Sequence, residues 1–329
     1  NKTIMLIGGA GYIGSVTADE FIKKGYKIKI YDSLIYKQDN ILQRYQNKES
    51  VEFIKGDIRD HRLLSSSLTN VEYVVMFAGL VGDPITKRYP ELSNLINTTA
   101  IENSFSIINN SGVERFIFVS TCSNYGLIPD KELAAEDYPL KPLSLYAKSK
   151  VNCEQKLISF KGKSDFTPTI LRFATAFGVS PRMRFDLTVN EFTYHLANKN
   201  ELVVYDKDTW RPYCHVSDFA DLIEKVFIAE KKDIAFEVFN AGHSDNNSTK
   251  EMLINLIIRY TGYDSVIYQG DGADQRNYKV DFSKVKQVLN FTPKFSIEKG
   301  IQEILKEIKR GTFHDFEKNK FNYGNYEIQ

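Results

Sequence analysis

The sequence predicts an α/β protein: a doubly wound parallel sheet with a smaller α/β C-terminal lobe. Three observations point there. Short apolar runs alternate with helical segments over the first 174 residues, a glycine cluster stands between the first run and the first helix, and the pattern loosens beyond residue 174. At 329 residues and 42% hydrophobic content the chain can bury a sizeable core, and its length predicts two lobes.

The opening run 3–7, TIMLI, is apolar and stops at Gly8. Runs at 27–31, 51–55, 72–76, 114–119 and 167–171 read as further strands, with helices expected at 12–24, 60–68, 90–110 and 144–160. Such alternation requires crossover connections, which lay helices on both faces of a parallel sheet. FIFV at 116–119 is apolar at every position, as a strand buried on both faces should be. Beyond 174, a helix at 183–198, a strand at 202–205 and helices at 217–230, 250–260 and 297–309 are expected, with 237–240 a candidate extra strand. The chain thus divides into a larger domain, 1–174, to which 213–241 returns, and a lobe from 175–212 and 242–313. The tail, 314–329, is aromatic yet polar; it is either free or draped on a partner.

Lys and Arg total 43 against 42 Asp and Glu, so no global field attracts nucleic acid or an acidic membrane. Cys122, Cys153 and Cys214 are odd in number and lack metal-type spacing, which fits a reduced, cytoplasmic protein. The five histidines show no zinc-ligand spacing, so no metal is expected. No apolar stretch reaches membrane-spanning length, and no signal peptide opens the sequence.

IMLIGGAGYIGS sets Gly9, Gly11 and Gly14 in G-x-G-x-x-G register, and Gly8, Gly11 and Gly14 in G-x-x-G-x-x-G register. Glycines there permit a tight turn and close approach to a pyrophosphate, while Tyr12 and Ile13 open a helix whose N-terminus supplies oriented N–H donors. The next strand ends at Asp32, placed to bond both ribose hydroxyls and to repel a 2′-phosphate, so the expected cofactor is NAD on a Rossmann-like sheet. A glycine-rich turn without a nucleotide is the plainer alternative, and the strand–turn–helix–strand–Asp context weighs against it. Asp57 either accepts from an adenine amino group, with Ile58 on the ring, or caps the following helix. Ala78 and Gly79, small residues ending the fourth strand, either admit the cofactor's close approach or only helix packing.

FIFVSTCSNYG carries a buried strand straight into a hydroxyl and thiol patch, and the helix after it contains Tyr146 and Lys150, four apart and therefore on one face. Lowering a tyrosine pKa by about three units needs roughly 4 kcal/mol. One ammonium about 5 Å away gives roughly 3.3 kcal/mol at an effective dielectric of 20. Tyr146 is thus expected to act as a phenolate base beside Lys150 and the cofactor, with Thr121 donating to the substrate oxygen and Ser120 on the cofactor side. Taken alone, the Tyr-x-x-x-Lys spacing is weak; its position after the patch decides the reading.

GGAGYIG, Asp32, GDI, STCSNYG and YAKSK, in this order, resemble the extended short-chain dehydrogenase/reductase family, the NAD-dependent nucleotide-sugar epimerases and dehydratases. LRFATAFG, WRPYCHVSDFA, FNAG and DQRNYKVDFSKVKQVLNFTPKFSIEKGI extend that resemblance over nearly the whole chain. It implies hydride transfer at a carbinol, carbon 4, of a nucleotide-diphosphate sugar, as an epimerase or 4-dehydrogenase in sugar biosynthesis. A 4-keto-sugar reductase is the alternative, and a non-catalytic dinucleotide-sensing protein the remote one. By resemblance Tyr146 is the base, Lys150 holds the nicotinamide ribose, Thr121 completes the triad and Asn97 supports it. Arg211 and Arg276 grip the diphosphate, while Thr175, Arg182, Asn190 and Phe192 contact substrate. Helices 90–110 and 144–160 would form a homodimer.

The family's 4,6-dehydratases carry an Asp–Glu pair after the catalytic threonine, where this chain has Cys122 and Ser123, so that elimination is disfavoured. Cys122 is either an acid–base thiol or, as the preferred reading, a packing residue. Thr175 replaces the family's common asparagine. GLVGDP, FATAFGVSPRMRFDLTVNEFTY and RPYCHV are similar to the subgroup containing GDP-heptose 4-dehydrogenase, in which Arg182 and Arg184 would lie near the substrate lobe.

Overall fold

The computed structural model describes residues 2–272, 274 and 276–328. In chain order its strands are β1 (Thr3–Ile7), β2 (Lys27–Asp32), β3 (Val51–Lys55), β4 (Tyr73–Met76), β5 (Arg115–Thr121), β6 (Thr167–Phe173), β7 (Thr175–Phe177), β8 (Leu202–Tyr205), β9 (Trp210–His215), β10 (Val238–Ala241), β11 (Asn247–Thr249) and β12 (Val266–Gln269). The main sheet is parallel throughout, in the order β10–β6–β5–β4–β1–β2–β3. The chain winds from β1 out to β3, then restarts at β4 on the other side of β1. A crevice opens at the carboxyl ends of the strands where the winding reverses.

Eight of the helices bear on the site and its supporting core: α1 (Tyr12–Lys23), α2 (His61–Ser67), α3 (Ile101–Asn109), α4 (Leu145–Ile158), α5 (Thr188–Ala197), α6 (Val216–Ile228), α7 (Lys250–Thr261) and α8 (Ile297–Lys309). α1 packs with α6 on one face of the sheet, and α3 with α2 and α4 on the other. Side chains alternate between faces along a strand. Ile117 of β5 accordingly joins Leu6, Ile30, Val75 and Leu171, while Phe116 and Phe118 join Met5, Val74 and Met76. Phe105 of α3 meets Phe116 and Phe118 edge-on, with ring centres 5.6 and 5.7 Å apart. With both faces covered, the central strands are apolar through their middles, as in Ile4–Ile7 and Phe116–Val119, and each such large side chain stabilises by about 1.5–3 kcal/mol.

In the smaller lobe β9 lies between β7 and β11, and β8 pairs in parallel with β12. The sequence reading does not anticipate β7, β9, β11 and β12, and three of the segments it does describe differ in the structure. The helix expected at 183–198 begins only at Thr188, because residues before it serve tertiary contacts: the Phe185 N–H donates to the Tyr323 carbonyl at 2.7 Å, and Arg184 folds onto Asp186. The helix expected at 90–110 widens into π-type turns at Leu95–Ala100 around Asn97. Finally, the C-terminal segment is neither free nor waiting for a partner. Phe313, Phe316 and Tyr323 pack around Phe185, and the chain continues over its own body to Ile328.

Candidate active site

The glycine turn forms the floor of a cleft at the carboxyl ends of the strands. Gly8 has φ +83°, and a Cβ on it would lie 2.6 Å from the Ala78 nitrogen, so only glycine fits between β1 and the end of β4. Gly11 then opens α1 with no side-chain cap, and Gly8, Gly11, Tyr12, Ile13 and Gly14 line a cavity of about 810 Å³. That volume lies within the ~300–1,000 Å³ of small-molecule sites. At the end of β2 the Asp32 carboxylate accepts from the Ala10 and Leu34 N–H groups at 3.0 and 2.9 Å. One lone pair on each oxygen remains for a ribose. Asp57, Ile58, Ala78 and Gly79 line the same arm. Asp57 does not cap a helix: Asp60 caps α2, while Asp57 binds the Arg59 side chain through both oxygens, at 2.9 and 2.6 Å. An uncapped helix start, a fixed carboxylate and a glycine-tight floor fit a dinucleotide such as NAD.

Ser144 caps α4 by accepting from the Ala147 N–H at 3.1 Å, which sets Tyr146 and Lys150 facing the cavity beside Thr121. Lys150 is 1% exposed, and its ammonium donates to the Val119 carbonyl at 2.8 Å and lies 5.7 Å from the Tyr146 ring centre. Burial pushes Lys150 down to about 8, against the attraction of Cys153 and Glu154. Burial also pushes the Tyr146 phenol well above its ordinary value, while Arg184 and Arg276 draw it down and Asp83 raises it further. In this low-dielectric setting, without a cofactor's positive charge, burial holds Tyr146 neutral. A neutral phenol is a hydrogen-bond donor and a general acid; it becomes a base when a bound ligand adds positive charge beside it.

A second arm of the cavity carries the cations. Arg276 binds Asp274 through Nε and Nη2, both at 2.7 Å, reaches Ser123 Oγ at 3.1 Å, and lies 3.2 Å from Asp83. Arg211 Nη2 lies 3.0 Å from the same Asp274. Against the cost of burial, hydrogen bonds from Arg276 and the charge of Arg211 hold Asp274 well below the carboxylate range. Two guanidinium forks held in register suit a diphosphate. Thr175, Arg182 and Arg184 line the cavity too. Burial, with Arg184 nearby, lowers Arg182 to about 10.

Asn190 and Phe192, expected to touch substrate, do not line the cavity. Asn190 is fully buried: its Oδ1 accepts from the Gly178 N–H, and its Nδ2 donates to the Tyr12 hydroxyl and the Arg184 carbonyl. Phe192 is in the core, because it lies on the buried side of α5. Ser120 lines the cavity, yet its hydroxyl donates to Glu154 at 2.5 Å and accepts from Asn124. It supports the buried Glu154–Arg172 pair (2.7 Å) rather than offering a free donor to the cofactor. Asn97 clamps Leu80 through both its amide groups and so fixes the loop beyond β4. Cys122 donates to the Arg172 carbonyl from the core, and burial pushes its thiol up, as a packing residue requires. Sequence reasoning missed Asp83, Asp186, Glu191, Lys250, Asp274, Asn325 and Tyr326, all on the cavity wall. Only Asp274 had a local signal, standing two residues before Arg276. Among the described residues no cluster of His, Cys, Asp and Glu suits a metal ion, and no helix is long and apolar enough to cross a membrane.

Comparisons with known proteins give matches over most of the chain. The model of the NAD dependent epimerase/dehydratase family matches residues 4–242. The low-salt glycan biosynthesis protein Agl12 of Haloferax volcanii is 28% identical over 308 residues, covering 91% of this chain and 96% of its own. A UDP-glucose 4-epimerase of Lactobacillus helveticus is 28% identical, covering 88% and 92%. The crystal structure of the Thermotoga maritima UDP-glucose 4-epimerase with UDP-glucose superposes with a TM-score of 0.84 at 27% identity, covering 94% of this chain and 99% of that one.

Proposed function

The chain belongs to the NAD-dependent epimerase/dehydratase family, and on that premise we propose that it is an NAD-dependent enzyme that moves hydride at carbon 4 of a nucleotide-diphosphate sugar, in the biosynthesis of glycans. The observation that carries this is the junction of the cavity's two arms. Tyr146 stands beside Lys150, with the glycine turn and Asp32 on one side and Arg211 and Arg276 on the other. Residues 1–174 with 213–241 serve the cofactor, and 175–212 with 242–313 the substrate.

NAD, when bound, supplies the hydride acceptor. This chain's own residues do the rest. Asp32 takes the adenosine ribose hydroxyls, and Lys150 has donors to spare for the second ribose. The arginines hold the diphosphate, and Tyr146 exchanges the proton of the carbinol oxygen with Thr121 donating to the same atom. The Thr121 Oγ accepts from the Ser123 N–H at 3.1 Å, which leaves its O–H to donate outward. With Cys122 in the core and Ser123 on Arg276, no acid–base pair stands ready for 4,6-elimination. Epimerisation is the leading outcome, consistent with the named 4-epimerases among the relatives; net oxidation at carbon 4 shares its first half.

The enzyme acts in the cytoplasm, in keeping with three buried, unpaired cysteines. It acts as a homodimer: Leu95, Leu145 and Ile158 leave apolar surface exposed on the adjacent helices at 90–109 and α4, which suits a second copy. Incubation with UDP-, GDP-, CDP- and dTDP-sugars and NAD tests the proposal. A 4-epimer without accumulated NADH marks an epimerase, and stoichiometric NADH a dehydrogenase. No change with any sugar refutes the proposal.

A further inference from the structure

The end of the chain forms part of the cavity wall. Anchored at Tyr323, it crosses from the smaller lobe to the cofactor domain in five residues. The Gly324 carbonyl accepts from Arg182 Nη2 at 3.0 Å. The Asn325 N–H donates to Asp186 at 3.3 Å, and Asn325 Nδ2 donates to the Val81 carbonyl on the loop beyond β4 at 3.0 Å. Glu327 pairs with Arg88 at 2.9 Å, and Ile328 packs against the cofactor domain's core. The Tyr326 ring folds back so closely over Gly324 that a Cβ there would lie 2.2 Å from it, so this crossing needs glycine for the close approach alone. Asn325 and Tyr326 thereby line the same cavity as Tyr146.

Opposite the strap, in the first turn of α5, stands Glu191. Among the described residues neither the Glu191 carboxylate nor the Tyr326 hydroxyl has a hydrogen-bond partner, although both are half-buried. They are near enough that the carboxylate helps push the phenol up, after burial and Asp186. Burial, with Asp186 adding to it, pushes Glu191 up to about 7, so its carboxyl group can both donate and accept and suits a neutral polyol, whose hydroxyls do the same.

We propose that Tyr326 and Glu191 are specificity-determining residues, and that the C-terminal strap holds the Tyr326 hydroxyl where it and the Glu191 carboxylate bind adjacent hydroxyls of the substrate's glycosyl group. The inference rests on the nucleotide-sugar reading above and names the part of that substrate the strap selects. The test uses the NAD-loaded protein, the nucleotide sugar found by the panel, and its nucleoside diphosphate alone. Tyr326→Phe and Glu191→Gln should each raise KM for the nucleotide sugar about ten-fold. kcat, the Kd for the nucleoside diphosphate and the Kd for NAD should each stay within about two-fold. Removal of residues 324–329 should give at least the same loss, with melting curves confirming folded protein. Unchanged KM in both single variants overturns the inference while leaving the nucleotide-sugar reading intact. Equal loss for sugar nucleotide and nucleoside diphosphate overturns the glycosyl assignment. Failure of the wild-type protein to bind any nucleotide sugar overturns both.

Discussion

The Lys150 ammonium lies 5.7 Å from the centre of the Tyr146 ring, one turn along the same helix, with a carbonyl rather than a carboxylate as its hydrogen-bond partner. Both groups are held away from their charged forms by burial. A site so arranged is poised: the cost of burying an ammonium without a close anion is carried by the resting protein, and ligands relieve it.

That cost gives a stability prediction. Lys150 falls from 10.5 to about 8 in the folded chain, a penalty of about 3 kcal/mol at ~1.36 per unit. It is present in full below pH 8, where Lys150 is charged in both states. It fades as pH rises to 10.5, because there the unfolded chain binds the extra proton. Lys150→Met should abolish turnover yet melt higher without ligand at pH 7, by about 2 kcal/mol after loss of the Val119 hydrogen bond. Urea titrations should show the gap narrowing by pH 10. A variant less stable than wild type at pH 7 would contradict the account.

Arg276 is held by Asp274 and Ser123 at the second arm. Arg276→Gln removes charge-assisted bonds to a diphosphate, each about 1.5–3 kcal/mol. The Kd for the nucleotide sugar should rise between ten- and a hundred-fold in calorimetry, and that for NAD should hold.

At Gly8 both the backbone angle and the 2.6 Å approach to Ala78 forbid a side chain. Gly8→Ala should therefore lower the melting temperature and weaken NAD binding at least ten-fold by fluorescence quenching. Wild-type affinity in this variant would remove the glycine turn from the cofactor site.

Leu145 is 45% exposed at the start of α4, and Leu95, on the helical segment that packs with α4, is exposed to the same degree. Sedimentation should give twice the 37.8 kDa chain mass for the wild type, and Leu145→Glu should shift it toward the single chain. A wild-type monomer at micromolar concentration would refute the dimer.

The parts legible in the sequence are those encoded by local spacing. The glycine turn, Asp32 and the Tyr146–Lys150 pair each sit in one element, where chain distance fixes spatial distance. The cavity's far wall is different. Asp83, Glu191, Asp274 and Tyr326 come from four separate segments, and no period within any one of them announces their meeting. Asn190 and Phe192 depart from expectation for a related reason: with α5 starting at Thr188, its geometry turns both inward, while Glu191 between them faces the cavity. The desolvation of Tyr146 is not legible in the sequence, because a four-residue spacing displays a Coulomb attraction and says nothing of burial. The strap carries only an aromatic, polar composition, which suits a docked segment and a free one equally.

The central claim, that Tyr146 carries the proton as hydride leaves a sugar carbinol, is tested most directly by rapid mixing of NAD-loaded protein with its nucleotide sugar while following the reduced-nicotinamide absorbance. The account predicts a burst in the wild type, and in Tyr146→Phe a rate lower by about a thousand-fold with NAD affinity unchanged. A burst of wild-type rate in Tyr146→Phe would contradict it.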